Sequence, residues 1–336
     1  MKVLVYFQPN AKHDNFEGAR LRKTIKSALE MKNIPYTDTL MGDFDVAHFL
    51  YVEDESLLLE LKERHIPIIV SALYAESDPE ASFLEYKNKD GEKIITVKNK
   101  AIKLLEKADL ILVPNNTAKT ILEGAGINIP IEICPLGVNF SRFDFSRDDE
   151  KGIFYRYFSC EKGKTIVISL GDLSLSGFNA YINAAKEYKD ANFYYFLKEE
   201  RGIKLSKENK RILKNLPVNL FLTKLVPDDV YRSALINCDL FVNLDYKPTG
   251  IVSISEAMAA KCQIISREQE LLKDILVDQK TAYVAEYTET LESIIKDYLD
   301  GKLKPTIENA YKEISKNDIN AFGDNLIGKY QTLINK

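Results

Sequence analysis

Gly250 and Glu256 are the two residues whose types and spacing most directly indicate chemistry. An apolar run at residues 239–244 precedes Gly250, and an alanine-rich apolar run at 251–260 follows it, which predicts a strand, a glycine turn and a helix. The free N–H groups at such a helix start bind anions, and glycine lets a phosphate approach the backbone closely. Glu256, about one and a half turns into that helix, would reach a ribose hydroxyl. An ordinary strand–helix turn with a solvated glutamate has the same pattern, so both interpretations stand.

Strands alternate with helices on both sides of this stretch. Before it, the sequence predicts strands at residues 3–7, 45–51, 67–71, 110–113 and 131–134, a loop at 8–18 and helices at 19–32, 57–64, 101–108 and 116–123. A polar segment with Pro and Gly at about 136–147 is typical of a linker. After it, strands are predicted at 165–170, 192–197, 219–222, 239–244 and 263–266, again with helices between them. The alternation predicts an α/β protein of two doubly wound Rossmann-like domains facing across a cleft, with the ligand at the carboxyl ends of the strands.

The domain boundaries follow from this order. We expect an amino-terminal domain at residues 1–140, a second domain at 141–315, and a last helix within 316–336 that packs back on the first domain. A chain of 336 residues is long enough for two hydrophobic cores.

Composition excludes several classes of protein. The net charge is −4, with 45% hydrophobic and 29% charged residues, so the chain as a whole has no nucleic-acid footprint. Its four cysteines lack the spacing of a zinc site or a disulfide framework and fit a reducing compartment. No run of 18 apolar residues is present, and we expect a cytoplasmic protein, peripheral at most on the inner face of the plasma membrane.

Four segments together resemble glycosyltransferase family 4, whose members have the two-domain GT-B fold. The segments are residues 43–48 (DFDVAH), 107–114 (KADLILVP), 137–143 (GVNFSRF) and 249–259 (TGIVSISEAMA). The resemblance covers nearly the whole chain. Within the family, the sequence is most similar to the bacterial enzymes that make diglycosyl-diacylglycerol by adding a second sugar to a monoglycosyl lipid.

The resemblance implies transfer of glucose or galactose from a UDP-sugar, with retention at the anomeric carbon, to a glycolipid or other glycan acceptor. It assigns the diphosphate to backbone N–H groups at the helix start, the ribose to the glutamate, and the sugar-phosphate to a glycine in the loop after the first strand. The residues that it assigns to the nucleotide sugar are Gly18, Gly171, Gly250, Ile251, Val252 and Glu256. It implies no metal and no other cofactor, because helix N-termini and basic side chains neutralise the leaving diphosphate.

The chain departs from the family pattern at the catalytic positions. The family has an Arg and a Lys after the glycine that ends the first strand of the second domain, but residues 171–177 contain neither and carry Asp172. Pro248 stands where the family has the first of two glutamates, and the family's histidine after the third strand is absent near 71–73. The catalytic residues are therefore unknown from sequence, and Lys247 is the candidate for the missing positive charge.

Two hypotheses follow from these departures. One is an active, divergent glycosyltransferase, and the other is a catalytically degenerate GT-B protein that acts as the partner or regulatory subunit of an active transferase. Other GT-B chemistry, such as epimerase or phosphorylase action, is a third alternative. Assembly with itself or with another glycosyltransferase is expected under the second hypothesis.

A lysine-rich stretch and one histidine are the remaining candidates. Residues 87–107 have a local net charge of +4, which predicts either an amphipathic helix with a solvated lysine face or contact with an anionic membrane. The lysines are Lys87, Lys89, Lys93, Lys98, Lys100, Lys103 and Lys107. His48, expected at the end of a strand beside the cleft, is the histidine with a candidate ligand role.

Overall fold

The computed structural model describes residues 1–7, 17–51, 55–76, 78, 80–144, 146, 148–171, 175–197, 210–211, 213–223, 226–245, 247 and 250–335. The chain divides into two compact units. The first contains Met1–Asn139, Lys247–Val252 and Lys316–Lys336, and the second contains Phe140–Tyr246 and Ser253–Ser315.

The strands of the described residues are numbered in chain order. They are β1 (Val3–Phe7), β2 (Tyr36–Thr37), β3 (Val46–Tyr51), β4 (Ile68–Ser71), β5 (Phe83–Lys87), β6 (Lys93–Val97), β7 (Leu110–Val113), β8 (Ile131–Ile133), β9 (Thr165–Gly171), β10 (Ala191–Leu197), β11 (Leu220–Thr223), β12 (Leu240–Asn243), β13 (Gln263–Arg267) and β14 (Tyr283–Ala285).

The α-helices of the described residues are numbered in the same way. They are α1 (Glu17–Met31), α2 (Ser56–Glu63), α3 (Asn99–Leu105), α4 (Asn116–Gly124), α5 (Asp148–Phe158), α6 (Leu175–Glu187), α7 (Asp228–Ile236), α8 (Ile251–Ala259), α9 (Thr288–Leu299), α10 (Ile307–Ser315) and α11 (Ile319–Ile334).

A parallel sheet with the order β2-β1-β3-β4-β7-β8 forms the core of the first unit. Its central strands β3, β4 and β7 are buried along their whole length, as expected of parallel strands that helices cover on both faces. The strand β2 lies on one side of β1, and the later strands β3, β4, β7 and β8 follow one another on the other side. The order of the strands therefore reverses between β1 and β3. Ligands of doubly wound sheets bind beside such a reversal, at the carboxyl ends of the strands.

The second unit has a parallel sheet with the order β11-β10-β9-β12-β13-β14. Because β9 comes first in the chain, this is the 3-2-1-4-5-6 order of a dinucleotide-binding sheet. The reversal lies between β9 and β12, which pair through Leu240 with Val167 and Phe241 with Ile168. The core beneath it combines strand residues such as Phe193 and Val242 with the apolar faces of α6 and α9.

The last helix, α11, packs on α1 in the first unit. Its buried residues Phe322, Leu326 and Tyr330 belong to the same hydrophobic core as Ile25 and Leu29 of α1. The side chain of Asp318 caps α11 by accepting a hydrogen bond from the N–H of Asn320 at 2.7 Å. A short parallel bridge between Val138 and Asp318 joins the start of this helix to the end of the first segment of the unit.

The prediction of an α/β chain with two doubly wound parallel sheets is confirmed. Among the described α-helices and strands of the second half, α5, α10 and the edge strand β14 were not predicted. Helix α5 begins where the sequence indicated only the end of a linker. A further difference is that Gly18 lies inside α1 and not in a loop.

The prediction of an amphipathic helix over residues 87–107 is wrong, apart from the helix predicted at 101–108, which corresponds to α3. Strands β5 and β6 form an antiparallel hairpin there, and only α3 is helical. The hairpin turn is built by Asn88, whose side-chain oxygen accepts from the N–H groups of Asp90 and Glu92, both at 2.9 Å, and by Gly91 at φ +84°. Asp-Gly between two strand-like runs is a strong hairpin signal that the count of lysines obscured. Contact of these lysines with an anionic membrane stays a prediction.

Across the described ranges, none of the helices combines the length and the apolar character that a bilayer crossing requires.

Two glycines of the first unit have opposite surroundings, and alanine at each should change the free energy of unfolding with opposite sign. A Cβ on Gly137 would lie 2.5 Å from the Cβ of Phe322, whereas one on Gly328, in α11, would have no neighbour within 4 Å. We expect Gly137→Ala to lower the free energy of unfolding by about 1–3 kcal/mol through overpacking. Gly328→Ala should raise it by about 0.5–1 kcal/mol, because alanine favours a helix. Urea denaturation of both variants measures this, and equal effects would contradict the packing described for Gly137.

Candidate functional site

The strand reversal of the second unit brings the predicted Gly171 to the edge of the sheet where a nucleotide would bind. Gly171 is the last residue of β9, and a Cβ there would lie 3.1 Å from both the Oδ1 of Asp245 and the hydroxyl of Tyr195. The position therefore has little room for a side chain. Residues 172–174 follow it, so the prediction about Asp172 lies outside the described residues, as does the one about Pro248.

Helix α8 begins at Ile251, directly after the predicted phosphate-binding glycine. Gly250 is buried, and a Cβ added to it would lie 3.3 Å from the Cβ of Glu17. The N–H of Ile251 donates a hydrogen bond to the Oε1 of Glu17 at 3.3 Å. Gly250, Ile251 and Val252 thus form a helix start of the predicted kind, but a carboxylate of the protein itself occupies one of its N–H groups.

Glu17 is a functional candidate that the sequence analysis missed. It is the first residue of α1, and its own N–H donates to the Oδ2 of Asp78 at 2.8 Å. Its Oε2 accepts hydrogen bonds from the backbone N–H groups of Tyr74 and Ala75, the latter at 2.7 Å. The side chain is therefore held at one oxygen by the turn after β4 and at the other by the start of α8. The available signal was a carboxylate directly before Gly18, near the end of the loop that the sequence predicted at residues 8–18.

Burial sets the ionisation of Glu17. The residue is 6% exposed, and loss of hydration raises the pKa of its carboxyl to about 7. Nearby Asp78 raises the pKa further, whereas the hydrogen bonds from Ala75, Tyr74 and Ile251 lower it. Desolvation outweighs these three donors, so the group titrates near neutral pH.

Gly18 allows α1 to pack closely on the first strand. A Cβ there would lie 2.4 Å from the ring of Phe7 and 3.1 Å from Leu73. This contact accounts for a glycine in the first turn of a helix. Contact of Gly18 with a sugar-phosphate stays a prediction.

Glu256 faces an arginine of the segment that the family resemblance singled out. Its Oε1 lies 3.6 Å from the Nη1 of Arg142, whose Nη2 also pairs with the Oδ2 of Asp228 at 2.7 Å. Glu256 is 9% exposed, so the ion pair holds a largely buried carboxylate in a defined position. A carboxylate fixed in this way can accept hydrogen bonds from a diol.

His48 lies within β3 and not at its end, and it is fully buried. Its Nδ1 lies 2.7 Å from the hydroxyl of Tyr330 and its Nε2 lies 2.8 Å from the Oγ of Ser71. Burial lowers the pKa of its imidazole to about 3. The ring is therefore neutral at physiological pH and joins β3, β4 and α11 through two hydroxyl groups.

Lys247 carries the candidate positive charge near the start of α8. Its ammonium pairs with the Oε1 of Glu76 at 2.5 Å, and its side chain remains 65% exposed. Glu76 also accepts from the N–H of Glu85 and, through its carbonyl oxygen, from the ammonium of Lys98. Burial lowers the pKa of Lys98. Two cations thus lie beside the turn that follows β4.

A pocket of the first unit opens beside Glu17. Its polar lining comes from Glu17, His48 and Ser71, and most of the remainder is apolar, including Leu21, Ile25, Leu112, Phe322 and Leu326. Its cavity volume is about 30 Å³, room for about one or two water molecules. Small-molecule sites have the same kind of lining, apolar with a few convergent polar groups, but are about ten times larger or more.

The comparisons with solved structures identify the fold. HepE of Anabaena in complex with UDP-glucose is similar over 99% of this chain and 100% of its own, with a TM-score of 0.72 and 14% identity. A glycosyltransferase of Rickettsia africae has a TM-score of 0.65 and 13% identity over 99% and 98% of the two chains. Sucrose-phosphate synthase of Thermosynechococcus elongatus has a TM-score of 0.64 and 14% identity over 97% and 80%. No protein-family model and no curated protein sequence matches the chain.

The chain has the GT-B fold. The identities are too low to carry function, so the comparisons confirm this part of the family resemblance and leave family 4 itself a prediction.

The ionisation of His48 predicts an acid-dependent loss of stability. In the folded chain the pKa of His48 is about 3, below the ordinary value of 6.5, so the unfolded chain takes up a proton first as the pH falls. The stability that neutral His48 contributes is therefore present above pH 6.5 and lost as the pH falls toward 3. We expect the difference in free energy of unfolding between wild type and His48→Asn to shrink by up to about 1.4 kcal/mol per pH unit below 6.5.

His65→Asn is the control for this measurement, because it makes the same change at a histidine that lies exposed on the surface. Denaturation curves at several pH values between 4 and 7.5 decide the matter. A constant difference for His48→Asn would contradict the burial of a neutral ring.

Proposed function

We propose that this protein is a glycosyltransferase that binds a UDP-sugar at the carboxyl ends of β9 and β12. The observation that carries the proposal is the reversal of strand order between those two strands. After β12 the chain continues with Gly250, the start of α8 and the Glu256 carboxylate, which pairs with Arg142. In doubly wound sheets this is the position of a nucleotide.

The neighbours support the choice of nucleotide. HepE, which matches the whole chain in fold, was solved with UDP-glucose. In our proposal the backbone N–H groups of Gly250, Ile251 and Val252 bind the diphosphate, and Glu256 accepts hydrogen bonds from the ribose hydroxyls. Gly171 and Gly18 lie beside the sugar-phosphate in this proposal.

We further propose family 4 chemistry, in which a hexose, glucose or galactose, is transferred with retention of configuration. The leaving diphosphate gains negative charge as the glycosidic bond breaks, and N–H groups at a helix start stabilise that charge. Lys247, exposed and paired with Glu76, is the side chain that we propose as a substitute for the Arg and Lys of the family. This chemistry uses no metal ion.

The acceptor that we propose is a glycolipid or another glycan with an apolar part. The resemblance to the lipid glycosyltransferases supports it, and so does the mainly aliphatic and aromatic lining of the small cavity beside Glu17, which the apolar part of an acceptor would have to widen.

A degenerate GT-B protein that serves as partner of an active transferase is the second candidate. The observation that favours it is the Glu17 carboxylate at the N–H of Ile251, where a donor phosphate is expected in an active enzyme. The two candidates differ in turnover. Radiolabelled UDP-glucose and UDP-galactose with glycolipid acceptors separate them, since turnover near one per second, within the ordinary enzyme range of about 1–1000 per second, excludes the degenerate protein.

The role proposed for Glu256 predicts a change in nucleotide affinity. We expect Glu256→Ala to weaken binding of UDP by about 1–3 kcal/mol, because a hydrogen bond to a charged group is lost. Titration calorimetry with UDP measures the change.

Asp228→Ala is the matched control, because Asp228 pairs with the same Arg142 but is the exposed partner of the two. It should leave affinity within about threefold, as expected for loss of an exposed ion pair. Equal losses in both variants would assign the effect to Arg142 and contradict direct contact of Glu256 with the ribose. No binding of UDP to the wild type would overturn the proposed function.

A further inference from the structure

The N–H group of Ile251 is the first donor of α8, and it already has an anionic acceptor within the first unit. The Oε1 of Glu17 lies 3.3 Å from the Ile251 nitrogen, and the side chain of Glu17 fills the space in front of Gly250. A phosphate oxygen bound to the same N–H would have to stand where this carboxylate oxygen stands.

The Glu17 carboxylate is firmly positioned. The backbone of Glu17 is fixed by its N–H···Oδ2 bond to Asp78, and Gly18 is packed against Phe7. Its Oε2 accepts from two further N–H groups, those of Tyr74 and Ala75. Such an arrangement resists rotation of the side chain out of the site, because three backbone donors would lose their acceptor.

Two anions cannot share this position without cost. The site is buried, so the repulsion between a carboxylate and a phosphate is screened far less than in water. A carboxyl group protonated at Oε1 carries no charge and is a poorer acceptor at that oxygen, while Oε2 keeps its two N–H donors. Protonation of Glu17 therefore removes the repulsion and weakens the hold of Oε1 on the Ile251 N–H, so that a small shift of this oxygen makes room for the phosphate.

We propose that Glu17 is a built-in competitor for the phosphate of the donor, and that the donor binds together with a proton taken up by this carboxylate. The inference rests on the proposed function, and it adds a regulatory device to the same site. At the moment of binding the Ile251 N–H exchanges the carboxylate oxygen for a phosphate oxygen, and a proton moves from solvent to the Glu17 carboxyl.

The charged groups around Glu17 support this direction. Asp78 faces it from the turn after β4 and makes a second negative charge less favourable. The lysines near this turn, Lys98 and Lys247, contact Glu76. His48, which lines the same pocket, is neutral. The pKa of Glu17, raised to about 7, places the proton uptake at physiological pH.

Titration calorimetry with UDP-glucose between pH 6 and pH 8.5 tests the inference. UDP-glucose is the suitable probe because its diphosphate, a diester, has no group that titrates in this range. In the wild type the affinity should fall about tenfold between pH 6 and pH 8, as Glu17 ionises. Glu17→Gln, which keeps the shape and lacks the charge, should bind with the same affinity at both values. At pH 8 it should bind about tenfold more tightly than the wild type.

Two controls separate the effect of the Glu17 charge on phosphate binding from a pH dependence that any buried carboxylate or any ligand would show. Glu80→Gln removes another buried carboxylate of the same turn and should keep the pH dependence of the wild type. Uridine, which has no phosphate, should bind each variant without pH dependence. The wild type also gives an independent measurement: calorimetry in buffers of different ionisation enthalpy should show uptake of nearly one proton at pH 8.

Three outcomes would overturn the competitor role alone. They are equal pH profiles of wild type and Glu17→Gln, an affinity of the wild type that rises with pH, and no proton uptake by the wild type. Failure of both proteins to bind UDP-glucose at any pH would overturn the proposed function together with the inference. Thermal melting of Glu17→Gln confirms that the variant is folded, and the proton-uptake measurement decides the question if it is not.

Discussion

The hydrogen bonds of the Glu17 carboxylate connect the parts of the chain on which the candidate site depends. One carboxylate accepts from the turn after β4 and from the start of α8, while the backbone N–H of the same residue is held by Asp78. All of these groups are buried, so each backbone donor needs an acceptor. The chain meets this requirement with a charge at the place where the GT-B fold predicts the phosphate of a ligand. The folded chain uses the Glu17 carboxylate as an acceptor for buried N–H groups. The phosphate that we propose would need one of those N–H groups for itself.

Each sheet leaves a space for a ligand at the carboxyl ends of its strands. In each unit the strand order reverses at the first strand, between β1 and β3 in one and between β9 and β12 in the other. Chain segments that leave neighbouring strands at such a reversal turn to opposite faces of the sheet and leave a space at the carboxyl ends. Glu17 follows β1, and Gly250 with α8 follows β12. Within each unit the topology thus determines where a ligand can lie, and the individual residues determine what is bound.

The sequence predicted the regular part of this arrangement well. Apolar runs such as those of β3 and β12, and the glycine before α8, identified the parallel strands and the helix start, because burial on both faces leaves a continuous signal. The hairpin was missed where lysines suggested a solvated helix, although Asp90 and Gly91 carried the turn signal. The role of Glu17 could not be predicted from local sequence. Its partners Ala75 and Ile251 lie 58 and 234 positions away along the chain, and only tertiary structure brings them together.

The most direct test of this account is a crystal structure of the protein with UDP-glucose bound at pH 6. We expect a phosphate oxygen at about 3 Å from the nitrogen of Ile251, within the range of a hydrogen bond, and the ribose hydroxyls at Glu256. The Oε2 of Glu17 should remain at the N–H groups of Tyr74 and Ala75. A nucleotide bound elsewhere, or one bound while Glu17 still accepts from Ile251, would contradict the account.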